Sequence, residues 1–531
     1  SGNGSLNITN GGNVTSGIGY IADQFGSSGN VTVDGANTTW NLGTLYDGYG
    51  YNGSLAISNG AKVTSDSATI SMNDTATGTV MVSDVANIGG NYVPSEWVVG
   101  TSATVVSYNG TGSLAISNGG YADFSGNDGN GVGLYIGYAP GSVGNVAVTD
   151  VANIDGNYFQ SGFSVPNGAV VVGYNGTGNL TVANGGNVDV SGNDSTGFGL
   201  YVGENAGSTD TATVTGFYIG DPVDGSTYYN TNLSLDNGAA VVGGGGNGTL
   251  TVSNNGRVTV DGADANGVGL YVGENVGSTG NVTVSDYTDD FYLYSEMDVN
   301  NVAAIVGYNG NGTLTVANGA GFTTSGEDGN ELGLAIGYNA GATGNVAITG
   351  AGPDSNFYSE IDVNDGATAV GYNGTGTLTV ANGGEMYLYG SDDNGIGLYI
   401  GYNAGSTGNV TVSDVEPITE DQTELSLNGS VAVGYNGNGT LTISNGGKLY
   451  SNGEDSNDFG LTIGYNANAT ANVSVSDVVN VNGDSYQSEL YLSSGGLVVG
   501  YLSNGNLSVS NGGYIDTEGA DNNGIGAYLG Y

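Results

Sequence analysis

The 531-residue sequence contains no cysteine, no histidine, 6 prolines and only 3 basic residues. Without cysteine, no disulfide can hold the fold together. Without cysteine or histidine, the common relays in which a base activates a nucleophile are also missing. The basic residues Lys62, Arg257 and Lys448 each follow the same turn of a repeat, several coils apart, so they cannot share a site. We therefore expect a protein that is not an enzyme, although a glycosidase-like carboxylate pair is left open.

The charge balance is strongly acidic. There are 50 Asp and Glu residues against 3 Lys and Arg, which gives a formal net charge of −47. Such a chain repels nucleic acid and anionic lipid, because both bind proteins through Lys and Arg. No apolar run is long enough to span a bilayer, and the sequence shows no signal peptide. We expect neither nucleic acid nor membrane insertion among its interactions.

Glycine, in contrast, is abundant, with 103 residues in a repeat that runs from end to end. A first motif is clearest as GYNGTGTLTVANGG at Gly371–Gly384, and a second, GYNAGSTGNVTVSD at Gly401–Asp414, alternates with it. Both contain an apolar stretch ending in Gly-Tyr, a Gly/Asn turn and a Leu/Val-x-Val/Ile stretch, so they are two versions of one coil. Their joint period of roughly 65 residues is typical of stacked repeats.

Within a coil, apolar and polar residues alternate. Leu378 and Val380 share one face of their stretch; Leu398 and Ile400 do the same in GLYIG, where Tyr399 points away. This alternation between Gly/Asn turns predicts strands, and nothing predicts a helix. The predicted fold is all-β: a single elongated parallel β-solenoid (β-helix) of about 17 coils of roughly 30 residues, with three short strands per coil. Residues 1–531 are expected to form one continuous domain.

A G-x-D-x-N pattern recurs once in most pairs of coils and would place carboxylates in a column. Such columns suit calcium, which takes about 6–8 oxygen ligands, whereas Asp and Asn are also ordinary turn residues. Calcium is the only cofactor that the sequence suggests. The candidate ligands are Asp128, Asp264, Asp328, Asp392, Asp455 and Asp521.

Asn-x-Ser/Thr sequences recur in the first motif, at what we expect to be an exposed turn. They are candidates for N-glycosylation in an exported protein. The candidate residues are Asn52, Asn109, Asn175, Asn247, Asn311, Asn373 and Asn438.

Tyrosine often follows glycine at one corner of the coil, as at Tyr372 and Tyr402. Two interpretations remain open: a stacked aromatic row that stabilises the fold, or a stripe that binds sugars or a partner. The acidic, Tyr-rich stretches that vary most between copies are expected to be longer loops or strands on one side. Examples are Tyr287–Met297, Asp354–Ile361 and Tyr486–Leu492.

The two ends of the sequence complement each other, since GIGAYLGY followed by SGNGSLNITNGG reads as an uninterrupted repeat. This predicts either a segment of a longer repeat chain or a head-to-tail contact between copies. A head-to-tail contact does not close and therefore builds a homopolymeric fibre. The residues expected to make it are Leu6, Ile8, Tyr528, Leu529 and Tyr531.

The units VGYNGTGTLTVANGG and IGYNAGSTGNVTVSD resemble the glycine-rich repeats of bacterial autotransporter passengers (type V secretion) and of PEP-CTERM-associated surface proteins. The resemblance covers nearly the whole chain and implies a secreted, extracellular protein at the cell surface. Two functions follow. One is a non-enzymatic structural subunit that assembles head-to-tail into a filament or sheath. The other is an adhesin passenger segment that binds glycans or a host surface.

Overall fold

A computed structural model describes residues 2–220, 228–288, 293–352 and 357–531. The chain forms two compact units, Ser1–Asp264 (unit 1) and Ala265–Tyr531 (unit 2). All regular elements of the described residues are strands, and these residues include no helix that could cross a membrane. The predicted all-β class is confirmed, whereas a single continuous domain stays a prediction.

In unit 1, one seven-residue strand per coil forms a parallel ladder that we call the first sheet. Its strands are Asn3–Thr9, Ser28–Asp34, Asn52–Ser58, Thr77–Ser83, Thr111–Ser117, Val143–Thr149, Thr177–Ala183, Thr209–Thr215 and Asn247–Ser253.

The first three coils of unit 1 continue into single nine-residue strands, Asn13–Ile21, Thr39–Asp47 and Lys62–Ile70. In later coils a corner divides this strand into two shorter strands. The first half of Lys62–Ile70 pairs with Glu96–Val99 of the next coil, and the second half pairs with Thr104–Val106. The first halves and their successors form the second sheet, and the other halves form the third. The remaining second-sheet strands are Tyr121–Phe124, Gly162–Val165, Asn187–Val190, Tyr228–Leu235 and Gly256–Val260; the remaining third-sheet strands are Val132–Ile136, Ala169–Val172, Phe198–Val202 and Ala239–Val242.

Unit 2 repeats this plan with three parallel ladders. Its first-sheet strands are Thr279–Ser285, Asn311–Ala317, Thr343–Thr349, Thr375–Ala381, Thr407–Ser413, Asn438–Ser444, Thr470–Ser476 and Asn504–Ser510. Its second-sheet strands are Glu296–Val299, Gly321–Thr324, Glu360–Val363, Glu385–Leu388, Glu424–Leu427, Lys448–Ser451, Glu489–Leu492 and Tyr514–Thr517. Its third-sheet strands are Val268–Val272, Ala303–Val306, Leu332–Ile336, Ala367–Val370, Ile396–Ile400, Ser430–Val433, Phe459–Ile463, Gly496–Val499 and Ala527–Leu529.

Each first-sheet strand marks one coil, so the nine of unit 1 and the eight of unit 2 make 17 coils. Parallel strands that follow one another at a spacing of one coil, with three sheets around a core, define a parallel β-solenoid. The predicted fold class, the number of coils and the three strands per coil are confirmed, although the second and third strands are continuous in the first three coils.

The core consists of columns of aliphatic side chains, one from each coil. Leu378 lies between Val346 and Val410 in the register of its ladder, and both Leu378 and Val380 are fully buried. Burying such a side chain stabilises the fold by roughly 1.5–3 kcal/mol relative to leaving it exposed. A single coil has no partner for these side chains, so the stacking of coils is what creates the core.

The Gly-Tyr corner explains one of the glycines in the repeat. Gly371 has a φ of 72°, and a Cβ built on it would lie 2.3 Å from the carbonyl oxygen of Thr407 in the following coil. Only glycine combines this backbone conformation with so close an approach.

The turn after each first-sheet strand also has a left-handed residue. Asn of the first motif alternates there with Asp, or in some copies Gly, of the second: φ is 50° at Asn445, 71° at Asp414 and 80° at Gly350. The Asn445 Nδ2 donates to Asp414 Oδ1 at 3.2 Å, and Asn318 donates to Asp286 at 3.3 Å. Asn and Asp tolerate this backbone conformation better than other side chains. Where the two alternate, they therefore form the turn and also a hydrogen bond between neighbouring coils.

Antiparallel hairpins extend many of the coils before the second sheet. In unit 1, Val85–Ile88 pairs with Asn91–Pro94, Val151–Ile154 with Asn157–Gln160, and Phe217–Ile219 with the start of Tyr228–Leu235. In unit 2, Tyr287–Thr288 pairs with Leu293–Tyr294 and Val478–Val481 with Asp484–Gln487, while single bridges join Ala351 to Tyr358 and Val415 to Gln422. The prediction of longer loops or strands is confirmed for the described parts; residues 289–292 of Tyr287–Met297, and 353–356, which include the start of Asp354–Ile361, lie outside the described residues.

Candidate binding surfaces

The aspartates of the G-x-D-x-N turns use their carboxylates to hold the turn itself. Asp128 Oδ1 accepts the backbone N–H groups of Asn130 and Val132 at 2.9 and 3.0 Å, and its Oδ2 accepts the Tyr135 hydroxyl at 2.8 Å. Asp328, Asp392, Asp455 and Asp521 repeat the two backbone bonds and the tyrosine bond. At Asp521, the bonds from Tyr528 and from the turn lower the pKa to about 2.

The tyrosine that completes each turn comes from one of two positions. Tyr399, seven residues after Asp392, donates from the middle of GLYIG. In the neighbouring repeats Ala335 and Thr462 occupy that position, and Tyr338 and Tyr465, ten residues after their aspartates, donate instead. The hydroxyl is therefore supplied whichever residue the first position holds.

Successive aspartates of this series are two coils apart, roughly 9–10 Å at the spacing of parallel strands. This is too far for two of them to bind one ion, and no group of three or more acidic side chains suited to a metal occurs in the part of the chain that the structure describes. Asp264 has partners of its own. Calcium at these positions stays a prediction, and the turn geometry accounts for their recurrence.

Sequence reasoning missed one member of this series, Asp194. Its Oδ1 accepts from the backbone N–H groups of Thr196 and Phe198 at 2.8 and 3.0 Å, and its Oδ2 from Tyr201 at 3.0 Å. Thr196 replaces the asparagine of the pattern. A pattern based on the Asp-to-Tyr spacing of seven residues would have found it.

The Gly-Tyr tyrosines form a ladder of rings. In unit 2, Tyr338, Tyr372, Tyr402 and Tyr435 follow one another with ring centroids 4.8, 4.8 and 5.2 Å apart. Tyr399 packs edge-on beneath the ladder, 4.6 Å from Tyr402. Because rings stacked in this way offer mainly their edges to a ligand, the arrangement favours the row that stabilises the fold over the sugar-binding stripe.

The glycosylation candidates fall on two different positions of the coil, not on a single exposed turn. Asn109, Asn175 and Asn373 follow the Gly-Tyr or Ser-Tyr corner and are half-buried. The other four are the first residues of first-sheet strands and are exposed: Asn52, Asn247, Asn311 and Asn438. Whether any of them carries a glycan stays a prediction.

The residues expected to join copies head-to-tail differ in accessibility. Leu529 is 82 % exposed, Tyr531 60 % and Leu6 39 %, whereas Ile8 is buried. Tyr528 is half-buried and donates to Asp521. Nothing in a single chain tests the contact, so assembly into a fibre stays a prediction.

The basic residues do occupy one position, as predicted, because they share a column of the second sheet. Lys448 lies in register between Glu424 and Glu489, and Lys62 pairs with Glu96 at 2.6 Å. The rest of this column in unit 2 is rich in glutamate. In order, it reads Glu296, Gly321, Glu360, Glu385, Glu424, Lys448, Glu489 and Tyr514.

We call the outward side of this sheet in unit 2, with the flanking hairpins, the acidic face. Burial, the nearby Asp362 charge and a hydrogen bond with Asp362 raise the pKa of Glu360 to about 7. Burial also raises the pKa values of Glu385 and Glu424. A hydrogen bond from the Tyr387 hydroxyl offsets part of the shift at Glu385, and the positive charge of Lys448 offsets part of the shift at Glu424. Like charges stacked at the strand spacing are destabilising, so this column favours a cation beside it.

A cavity of about 230 Å³ opens on the acidic face where the column has a glycine. Gly321 lies between Glu296 and Glu360, and the Tyr294 ring covers the space where a Cβ would be, 3.3 Å away. Phe357 of the next hairpin forms another wall. The cavity thus combines carboxylates with aromatic rings, the two groups that attract organic cations.

A comparison with protein-family models finds no match for this sequence, and neither does a comparison with curated proteins. Among solved structures, the chain is similar to a TibC-catalysed, hyper-glycosylated TibA fragment, residues 55–350, with 14 % identity, a TM-score of 0.36 and coverage of 97 % of this chain and 100 % of the fragment. The fragment is an E. coli autotransporter passenger, the type of protein that the repeats resemble. At this identity and TM-score the likeness carries no argument about function, and the β-solenoid fold is established by the parallel ladders themselves.

Proposed function

We propose that this chain is a non-enzymatic, extracellular β-solenoid of the adhesin-passenger type, and that its acidic face binds a basic partner surface. The observation that carries the proposal is the glutamate column of unit 2, in which Glu360, Glu385 and Glu424 stack in register. Lys448, at the end of this run, is the basic residue of the part of the column that lies in unit 2.

Electrostatics support this choice of partner. The net charge of −47 attracts basic molecules from a distance and repels acidic ones. Burial, and after it the charges of Asp362 and Glu385, raise the pKa of Glu360 to about 7, and a basic side chain beside the column would relieve the repulsion among these carboxylates. Tyr294 and Phe357 add rings against which a lysine or arginine can pack.

The test measures binding of a lysine-rich peptide to the full chain by calorimetry, across a range of salt concentration. The variant E360Q/E385Q/E424Q removes the column's charge with little change in shape. We expect its affinity to fall at least tenfold, about 1.4 kcal/mol, and binding by the native chain to weaken as salt rises. Binding should also strengthen between pH 6 and pH 8, because Glu360 gains its charge in that interval.

The matched control is D23N/D66N/D74N, which removes the same number of charges from exposed side chains of unit 1. It should leave the affinity nearly unchanged. Equal weakening by both triple variants would mean that the peptide responds to net charge alone, and the proposal for the acidic face would then be wrong.

A further inference from the structure

The outward side of the first sheet differs from the rest of the molecule. In unit 2 its eight strands have four outward positions each, 32 in all, and these hold 14 Thr, 8 Asn, 7 Ser and 3 Ala. None is charged and none is a large apolar residue. With 50 Asp and Glu in 531 residues, about three of 32 positions would be acidic on average. We call this surface the neutral face.

The neutral face is regular in two directions. The strands from Asn311–Ala317 to Asn504–Ser510 pair over all seven residues, and no ladder contains a register shift. Side chains therefore repeat at about 4.8 Å from coil to coil and at roughly 6.7 Å along each strand. The third sheet, by contrast, has shifts such as that between Ile396 and Leu398.

The side chains of this array are held in place yet available to solvent. Thr377 and Thr379 are half-buried by the side chains above and below them, and threonine has restricted χ1 rotation. Among the described residues, the hydroxyls of Thr313, Thr377, Thr379 and Thr442 have no hydrogen-bond partner in the protein, while other polar side chains of the chain do. The face therefore presents ordered hydroxyl and methyl groups whose hydrogen bonds are left for a ligand or for water.

Several kinds of partner fit poorly. The energetic centres of protein interfaces are rich in Trp, Tyr and Arg and poor in Ser and Thr. Small molecules bind in concave, mostly apolar pockets, and a basic partner would find no carboxylate here. A neutral, periodic array of fixed hydroxyl and methyl groups instead complements a neutral, periodic lattice of hydrogen-bonding molecules. A water molecule that bridges two polar groups is nearly as favourable in enthalpy as a direct hydrogen bond between them.

We propose that the neutral face binds the surface of ice. Hydroxyls of its Thr and Ser side chains would hydrogen-bond lattice water, and the methyl groups of its Thr side chains would order the adjoining layer. The proposal does not depend on the function proposed for the acidic face, because different sheets carry the two surfaces.

The test compares thermal hysteresis and inhibition of ice recrystallisation in solutions of the native chain and two variants. T379K/T442K places two lysines on the neutral face, and T323K/S426K places the same two charges on outward positions of the second sheet. The proteins are produced without glycosylation, since Asn311 and Asn438 lie on the neutral face. Circular dichroism and Tm establish that each variant is folded.

We expect hysteresis and faceted crystals from the native chain, at least a fivefold loss of hysteresis in T379K/T442K, and little change in T323K/S426K. Absence of hysteresis and of recrystallisation inhibition in the native chain would overturn the proposal. It would also be overturned by equal losses in the two folded variants, or by capture on crystalline cellulose or chitin without any effect on ice.

Discussion

One carboxyl group of unit 1 provides a quantitative test of how the solenoid is stabilised. Asp47 ends the strand Thr39–Asp47 and lies in register between Ile21 and Ile70. It is completely buried, so an acid occupies a column that is otherwise aliphatic. Burial raises its pKa to about 8, and neither of its carboxyl oxygens has a hydrogen-bond partner among the described residues.

The shift fixes how stability depends on pH. In the unfolded or locally opened chain, Asp47 titrates near its ordinary value of 3.8; in the folded chain it keeps its proton up to about pH 8. A raised carboxyl pKa means that the stability present below pH 4 is lost as the pH rises, by about 1.4 kcal/mol per unit, until both states are ionised. The accumulated loss is about 2 kcal/mol at pH 5 and about 4 kcal/mol at pH 7.

The perturbation is Asp47→Val. Valine fits this column, since Val106 occupies the same register position two coils later and is also fully buried. The variant should be more stable than the native chain, and its advantage should grow with pH by the amounts given above. The control Asp74→Ala removes an exposed acid of the same unit and should shift stability by less than about 0.5 kcal/mol at any pH.

Hydrogen exchange followed by mass spectrometry is the appropriate assay, because long repeat arrays do not unfold as one two-state unit and exchange reports local opening. Peptides covering residues 39–53 are compared between native and variant chains at matched pH. The reasoning would be refuted if the difference in opening free energy stayed constant between pH 5 and pH 8, because Asp47 would then be ionised in the folded chain throughout.

Two further predictions follow from the corners and the ends. Tyr399→Phe removes the hydroxyl that donates to Asp392 and should lower the stability of its coil by about 1.5–3 kcal/mol. Tyr389→Phe, at an exposed ring, should change that stability little. Equal effects of the two variants on hydrogen exchange in peptides covering residues 385–402 would contradict the role given to the turn. If copies join head-to-tail, negative-stain electron microscopy should show long filaments from the full chain and separate particles from a variant lacking Gly524–Tyr531; separate particles from both would exclude the fibre.

The fold was predictable because the features that determine it repeat. Leu378 and Val380 were expected to point inward and are fully buried. Apolar residues alternate with polar ones in this strand and in the strands on either side of it, so only one register places all the apolar side chains in the core. Tyr399 was expected to point away from Leu398 and Ile400, and it does. It is nevertheless buried, because the ladder tyrosines Tyr402 and Tyr435 pack across its ring. The direction of a side chain follows from the alternation within its strand, whereas its burial also depends on the tyrosines of the Gly-Tyr corner that follows the strand.

The candidate sites were harder to predict, because their residues come from different coils. Glu360, Glu385 and Glu424 are separated by 25 and 39 residues, since a hairpin interrupts only some coils. Their alignment becomes visible only when the strands are placed in register. The carboxylates that the sequence did single out recur for a different reason: they hold turns, as Asp128 does.

The separation of charge between two faces of the same coils is itself informative. In one coil of unit 2 the chain passes from the uncharged Thr375–Ala381 to the acidic Glu385–Leu388 through a single short turn. Unit charges about 4 Å apart repel by about 1 kcal/mol even in water. Burial, together with the charges of Asp362 and Glu385, raises the pKa of Glu360. Moving some of the glutamates to outward positions of the neutral face would relieve the repulsion without affecting the core. Stability alone therefore favours mixing the two compositions, and their separation indicates that each face is constrained by what it contacts.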